Sequence, residues 1–269
     1  MEKLSAFYFS GTGNTKYITE KLCAKLKEKY EIQIFDITET QKAPDLSADM
    51  LLFAFPIYGS APPKPMVDFV CKNVSLLKDK ECIIAATQYF FSGDGAASLG
   101  RYIQKSGGKV RYAEHFNMPN NLADSAVFKI RNGERIAEII EKAERKAERF
   151  AEKILKGKKS LRGFNPMSHA AGYYCQRKWW RKGESDKTRK LQINHKHCVG
   201  CGLCAKHCPV RNITIKEGKA FALSNCTYCY RCINLCPRKA ISLFGKEVCQ
   251  EQYKGPYLIA NKQKTNKSR

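Results

Sequence analysis

Residues 7–18 read FYFSGTGNTKYI, an apolar run that breaks into a Gly/Thr-rich loop and then into a helix-forming segment. Ser10, Gly11, Thr12, Gly13, Asn14 and Thr15 follow S/T-x-T-G-x-T. In such a loop hydroxyls and backbone N–H groups surround a phosphate monoester at a helix N-terminus, where the dipole favours an anion. Gly11 and Gly13 let the backbone approach closely. The G-K-[ST] ending of a Walker A loop is missing, and Lys16 stands where G-x-G-x-x-G requires its third glycine. A glycine turn before an ordinary N-capped helix would use the same residues, so the loop's place in the fold has to decide.

Working outward, residues 3–9 predict a strand and residues 14–29 a helix with Tyr17, Ile18, Leu22 and Leu26 on one face. Further strands are expected at 31–37, 49–58, 81–89 and 109–116. The continuous apolar run DMLLFAFPIY (49–58) is of the kind parallel sheets use. Helices are expected after PPKP (62–65), with Pro near N1, near 95–106, and over 133–156. The last carries an apolar stripe at Ile136, Ile140, Ala143, Ala147, Phe150 and Ile154. Five strands alternating with helices predict a doubly wound α/β sheet, whose ligands bind beyond the carboxyl ends of the strands at the switch point.

The loops after strands one, three and four therefore matter. The third-strand loop offers Pro56, Ile57, Tyr58 and Gly59, and the fourth-strand loop Thr87, Gln88, Tyr89, Phe90, Gly93, Asp94 and Gly95. Tyr58, Tyr89 and Phe90 are large flat rings that either stack on a planar ligand or cap the sheet. Backbone N–H groups at Gly59 and in the 92–95 turn are candidate donors to such a ligand.

Toward the other end, CVGCGLCAKHCP and CTYCYRCINLCP repeat one pattern, C-x2-C-x2-C-x3-C-P, at an offset of 28 residues. The cysteines are Cys198, Cys201, Cys204 and Cys208, then Cys226, Cys229, Cys232 and Cys236. Paired C-x2-C units also hold zinc, but four regularly spaced cysteines closed by Pro, and then repeated, exceed what zinc needs. The pattern is that of bacterial ferredoxins and implies two [4Fe–4S] clusters. In such runs the fourth cysteine serves the other cluster. Cys236 would complete the set of Cys198, Cys201 and Cys204, and Cys208 that of Cys226, Cys229 and Cys232.

The chain has 269 residues and a formal net charge of +23. Residues 1–156 carry 24 Lys/Arg against 20 Asp/Glu, and residues 157–269 carry 24 against 5. Two oxidised clusters would remove about four positive charges, so the second part stays basic. No run of about 18 apolar residues occurs and the N-terminus lacks a signal-peptide pattern. A cytoplasmic protein is expected, in which thirteen cysteines mean metal rather than disulfides. Cys23, Cys71 and Cys82 read as small core residues.

Four segments are expected: 1–156, a phosphate-binding α/β domain; 157–190, a basic aromatic linker; 191–245, the cysteine unit; and 246–269, a basic disordered tail. Tyr173, Tyr174, Trp179 and Trp180 in the linker are expected to pack onto one or both domains.

Together these motifs resemble the bacterial flavodoxin–ferredoxin fusion family over residues 3–156 and 191–245. The resemblance implies FMN on residues 10–15, its isoalloxazine ring between the third- and fourth-strand loops, and an α+β two-[4Fe–4S] unit beyond. It implies intracellular electron transfer to a redox partner more than any one reaction, and its members are found largely in anaerobes. Two departures stand out: flavodoxins and clostridial ferredoxins are usually acidic, and 157–190 matches no motif. The basic second half points to an acidic redox partner. The second reading is an FMN-dependent reductase of a small organic acceptor, for which His115 and the loop 117–125 are the only hints. A lone histidine at a strand end is more often a surface residue. Nucleic-acid binding through the basic aromatic linker ranks last.

Overall fold

The computed structural model describes residues 1–39, 48–185, 191–245 and 247–258. Its centre is a parallel sheet of β1 (Glu2–Tyr8), β2 (Tyr30–Asp36), β3 (Met50–Pro56), β4 (Glu81–Gln88), β5 (Lys109–Asn117) and β6 (Ser160–Leu161), in the order β2-β1-β3-β4-β5-β6. The connecting helices are α1 (Asn14–Leu26), α2 (Lys64–Lys72), α3 (Val74–Leu77), α4 (Gly95–Lys105) and α5 (Gly133–Leu155). Every strand pair in this sheet is parallel.

The sheet is covered on both faces, and this explains the apolar runs. One face packs Leu4, Ala6 and Leu52 with Ile18 and Leu22 of α1 and Ile140 and Phe150 of α5. The other packs Phe7, Phe53 and Ile84 with Met66 and Val70 of α2 and Leu99 and Ile103 of α4. β3 consequently buries all of its residues but Pro56. α5 opens with the Asn132 side chain accepting from Arg135 N–H and buries the stripe expected from its periodicity. The crossover reverses between β1 and β3, which places the switch point over the Ser10–Thr15 loop.

The five expected strands are present, and a sixth comes from the segment expected to be a linker: Ser160 and Leu161 pair with Tyr112 and Ala113. The chain then forms α6 (Pro166–Gly172), a π-helical turn (Tyr173–Arg177) and α7 (Lys178–Ser185), one continuous strap. Of the four aromatics expected to pack onto the domains, Trp180 bridges them. Tyr174 is 65% and Trp179 63% exposed, and Tyr173 is exposed as well.

The C-terminal unit consists of β7 (Gln192–Ile193), α8 (Leu203–Lys206), the hairpin β8 (Ile213–Lys216) and β9 (Lys219–Ala222), α9 (Arg231–Leu235) and β10 (Ile241–Ser242), which pairs with β7. Its small core joins Ile213, Ala220, Tyr230, Ile233, Ile241 and Leu243 to Ala123 of the α/β domain.

Two further expectations need correction. Residues 247–258 do not lie free: Tyr253 OH donates to Asn14 Oδ1 at 2.7 Å, Tyr257 OH donates to Glu20 Oε2 at 2.8 Å, and Gln250 Nε2 donates to the Leu122 and Phe128 carbonyls. Tyrosine and glutamine groups anchored at both ends outweigh the basic composition that suggested disorder. Residues 246 and 259–269 of that tail lie outside the described residues. Cys23 and Cys82 are buried as expected, but Cys71 is exposed on the outer side of α2.

Candidate functional site

A cavity of about 190 Å³ opens at the carboxyl ends of β1, β3 and β4. Its polar end is the Ser10–Thr15 loop. No side chain caps the first amides of α1, which leaves them open to an anion. Ser10 Oγ accepts from Gly13 N–H at 3.2 Å, and Thr15 Oγ1 lies 2.7 Å from Thr87 Oγ1, tying the loop to β4. Asn121 Nδ2 donates to Thr12 Oγ1 at 3.0 Å, and Asn14 Nδ2 to the Pro119 carbonyl at 3.0 Å. The loop after β5 thus forms a wall of the cavity through Met118–Leu122.

The apolar end carries Ile57, Tyr58, Gly59 and Tyr89, as the sequence led one to expect. It also carries Trp180 of the strap and Tyr228, Tyr230 and Phe244 of the C-terminal unit. Burial holds the Tyr58 phenol well above its ordinary pKa, so it stays neutral.

Phe90, Gly93, Asp94 and Gly95 do not line this cavity. Phe90 is 80% exposed. Asp94 is fully buried and turned toward the strap, where it pairs with Arg177, with Arg101 at 2.8 Å and with His169 Nδ1 at 2.8 Å. A β-carbon on Gly93 would collide with the backbone of Gly172, and one on Gly95 with Ile57. The fourth-strand loop is therefore a docking point for the strap beyond Tyr89. Ser60 Oγ donates to Gln176 Oε1, Gln176 Nε2 donates to the Phe91 carbonyl, and Arg177 Nε donates to the Ser60 carbonyl.

His115 is a core group, not a surface one: it is 4% exposed and its Nε2 accepts the Ala96 N–H at 3.0 Å. Burial lowers its pKa to about 4. It holds the first turn of α4 in place.

The eight cysteines form two groups. Cys198, Cys201, Cys204 and Cys236 surround one small apolar cavity with Ile215, Ala220 and Ile241. Cys226, Cys229 and Cys232 lie near Cys208 and one another, and burial pushes the Cys229 thiol up to about 12. Backbone N–H groups point at equivalent sulfurs in each copy, Asn212 at Cys208 (3.1 Å) and Ala240 at Cys236 (3.3 Å).

The second group sits against the anion loop. A β-carbon on Gly11 would overlap the Cys229 carbonyl, so only glycine admits this contact. Arg231 Nη2 donates to the Ser10 carbonyl at 2.5 Å and Nε to the Gly11 carbonyl at 2.9 Å. On the far side of the cavity Asp124, 2% exposed, accepts from Tyr230 OH and from the N–H groups of Leu243, Phe244 and Gly245.

Residues 6–159 match the family described as a flavodoxin domain, and residues 197–240 match a 4Fe-4S dicluster domain. The chain belongs to the flavodoxin-domain family. Among solved structures this flavodoxin-domain protein is similar to Fusobacterium nucleatum flavodoxin bound to flavin mononucleotide, at 15% identity over 58% of this chain and 98% of that one, with a TM-score of 0.42. It is likewise similar to two-electron reduced Megasphaera elsdenii flavodoxin, at 22% identity over 42% of this chain and 84% of that one, with a TM-score of 0.39. Two curated relatives match short stretches of the chain. One is a component of the ion-translocating oxidoreductase complex of Methanosarcina acetivorans, 43% identical over 47 residues, or 17% of this chain. The other is an uncharacterized protein of Methanocaldococcus jannaschii, 34% identical over 53 residues, or 20% of this chain. The chain spans 18% and 20% of the length of these two relatives.

The two domains make FMN and two [4Fe–4S] clusters the cofactors of this flavodoxin-domain protein. The residues present fit them: uncapped amides and hydroxyls at the polar end of the cavity suit a phosphate monoester, aromatic walls suit a planar ring, and the cysteine groups offer all-sulfur donor sets. Among the described residues no helix is long and apolar enough to cross a membrane.

Sequence reasoning missed Tyr228, Tyr230 and Phe244; it expected Trp180 to pack onto the domains but not to line the cavity, and it named the 117–125 loop only for the reductase reading. Tyr228 and Tyr230 carried one usable signal, since they stand where the first cysteine copy has Gly200 and Gly202.

Proposed function

We propose that this chain relays electrons between the cavity over the Ser10–Thr15 loop and a protein partner by way of its two cysteine groups. FMN exchanges electrons in pairs or singly and each cluster one at a time, so their fusion couples two-electron to one-electron chemistry. The observation that carries the reading is the contact of the Cys229 backbone with Gly11, which sets a cluster-binding segment directly on the phosphate loop.

In this reading Ser10, Thr12, Thr15 and the first amides of α1 hold the phosphate, while Tyr58 and Tyr89 flank the ring. Cys208, Cys226, Cys229 and Cys232 hold the inner cluster, and Cys198, Cys201, Cys204 and Cys236 the outer one. Arg231 fixes the inner group to the loop. Val199 (59% exposed) and Leu203 (38%) sit beside the outer group, with Lys196 and Lys206 nearby in sequence. That combination suits an acidic partner, steered by charge and seated on a small apolar face. The reductase reading loses its one candidate acid, because the His115 ring is buried and its Nε2 already accepts a backbone N–H.

Anaerobic reconstitution followed by iron, sulfide and flavin analysis and an optical reductive titration tests the relay. About eight irons and one FMN per chain are expected. A folded chain saturated with zinc, or one that takes up no flavin, overturns it. Thr12→Val with Thr15→Val should weaken FMN binding by about 1–3 kcal/mol per unpaired group. Delivery of electrons to an acidic ferredoxin should slow steeply as salt is raised; a flat salt dependence rules out the docking step.

A further inference from the structure

The two cysteine copies align at an offset of 28 residues, so Tyr228 and Tyr230 correspond to Gly200 and Gly202. All four residues are left-handed, with φ of 58° and 61° at the tyrosines and 68° and 75° at the glycines. A glycine adopts that conformation freely, whereas a β-carbon is penalised there. The second copy thus keeps a strained backbone twice within three residues, and both side chains emerge on the wall of the cavity.

The other half of that wall comes from the strap. Arg177 and Gln176 lock it to Asp94, Ser60 and Phe91, and the next turn lays Trp180 over Gly59, where a β-carbon would collide with the indole. Trp180 then meets Tyr58 at 6.4 Å between ring centroids, Tyr228 at 5.2 Å and Phe244 at 6.3 Å. Tyr228 and Phe244 lie parallel within 5°. The rings share the apolar end of the cavity with Tyr58 and Gly59 of the α/β domain.

We infer that Trp180, Tyr228, Tyr230 and Phe244 form a second aromatic wall of the FMN site, so that the flavin is held by the whole chain and not by the α/β domain alone. The inference rests on FMN occupying the cavity, as proposed above. It gives the strap that ends in α7 (Lys178–Ser185) a role as part of the binding site. It also gives a task to the strained tyrosines, whose rings enter the cavity wall.

FMN affinity, FMN dissociation rate and flavin fluorescence, measured on the full chain, test this. Trp180→Ala should weaken FMN binding roughly tenfold, a typical aromatic contact, speed its release, and raise flavin emission by removing a stacked quencher. Trp180→Phe should restore most of the affinity. Tyr228→Gly keeps the left-handed backbone and relieves its strain, so iron content and thermal midpoint should hold or improve while FMN binding weakens. If the wild-type chain binds FMN but Trp180→Ala and Tyr228→Gly both keep its affinity, release rate and emission, the second wall is wrong. If the wild-type chain takes up no FMN, the underlying reading fails and the wall falls with it.

Discussion

The two cysteine groups share one spacing and end in different surroundings. Cys229 of the second copy is 7% exposed and belongs to the core of the α/β domain, packed with Phe9 and Phe55. Cys201 of the first copy is exposed, flanked by Val199 at the surface. Duplication produces two equal donor sets; the neighbouring domain makes them unequal. At position 231 the inner copy has an arginine that reaches two carbonyls of the phosphate loop, and the equivalent outer residue, Leu203, is part-exposed. One copy has become an inner contact and the other a face toward solvent.

Removal of a donor that crosses between the copies should have the largest effect. Cys236→Ser lies in the second copy yet should empty the outer group, because Cys236 lines the cavity of Cys198, Cys201 and Cys204. Iron should fall from about eight to about four per chain, with the spectroscopic signature of the Cys226 group retained. Loss confined to the Cys226 group would show that the fourth ligands do not cross over.

A smaller effect is expected at the joint itself. Arg231→Met removes the donors to Ser10, Gly11 and His207. Charged hydrogen bonds of this kind contribute about 1.5–3 kcal/mol, so a loss of about 2–3 kcal/mol in denaturant unfolding is expected. Leu203→Met, the matching change in the outer copy, should stay within about 0.5 kcal/mol. Equal losses at the two positions would erase the inner–outer distinction.

His115 anchors the start of α4 beneath Asp94, which pins the strap on the inner side. Its folded pKa of about 4 lies below the ordinary 6.5. The unfolded chain therefore binds the extra proton first, and stability is full above pH 6.5 and falls as pH drops toward 4. Between pH 7 and 5 the loss should be about 2 kcal/mol. In His115→Gln that slope should vanish, and the ring proton of the wild-type residue should show no NMR titration between pH 5.5 and 8. A midpoint near 6.5 would mean the ring is not buried in solution.

The α/β sheet was legible because each strand is either a continuous apolar run or an alternating one, and helices α1 and α5 show unbroken stripes. Those patterns are local, set by the periods of the two structures. β6 escaped notice because two residues, Ser160 and Leu161, have no period to read. The tail escaped because its basic end dominates its composition, while the anchoring work falls to Gln250, Tyr253 and Tyr257, single residues with no pattern. Asp94 was placed near the ligand by its loop, and it turned away because Arg101 and Arg177 neutralise it and His169 hydrogen-bonds to it. A buried carboxylate goes where its cations are.

By itself, then, the sequence determined the things that spacing encodes: the parallel sheet, the loop at residues 10–15 and the eight cysteines in two repeats. Each of these depends on neighbours a few residues apart. The tertiary structure alone decided which cysteine group lies inside and which outside, and that Trp180, Tyr228, Tyr230 and Phe244 face the same cavity as Tyr58. Asp124 shows why: its carboxylate gathers Tyr230 and the N–H groups of Leu243, Phe244 and Gly245 from more than a hundred residues away. Contacts across such distances are selected by burial and by the need to satisfy every buried polar group, and no local spacing records them.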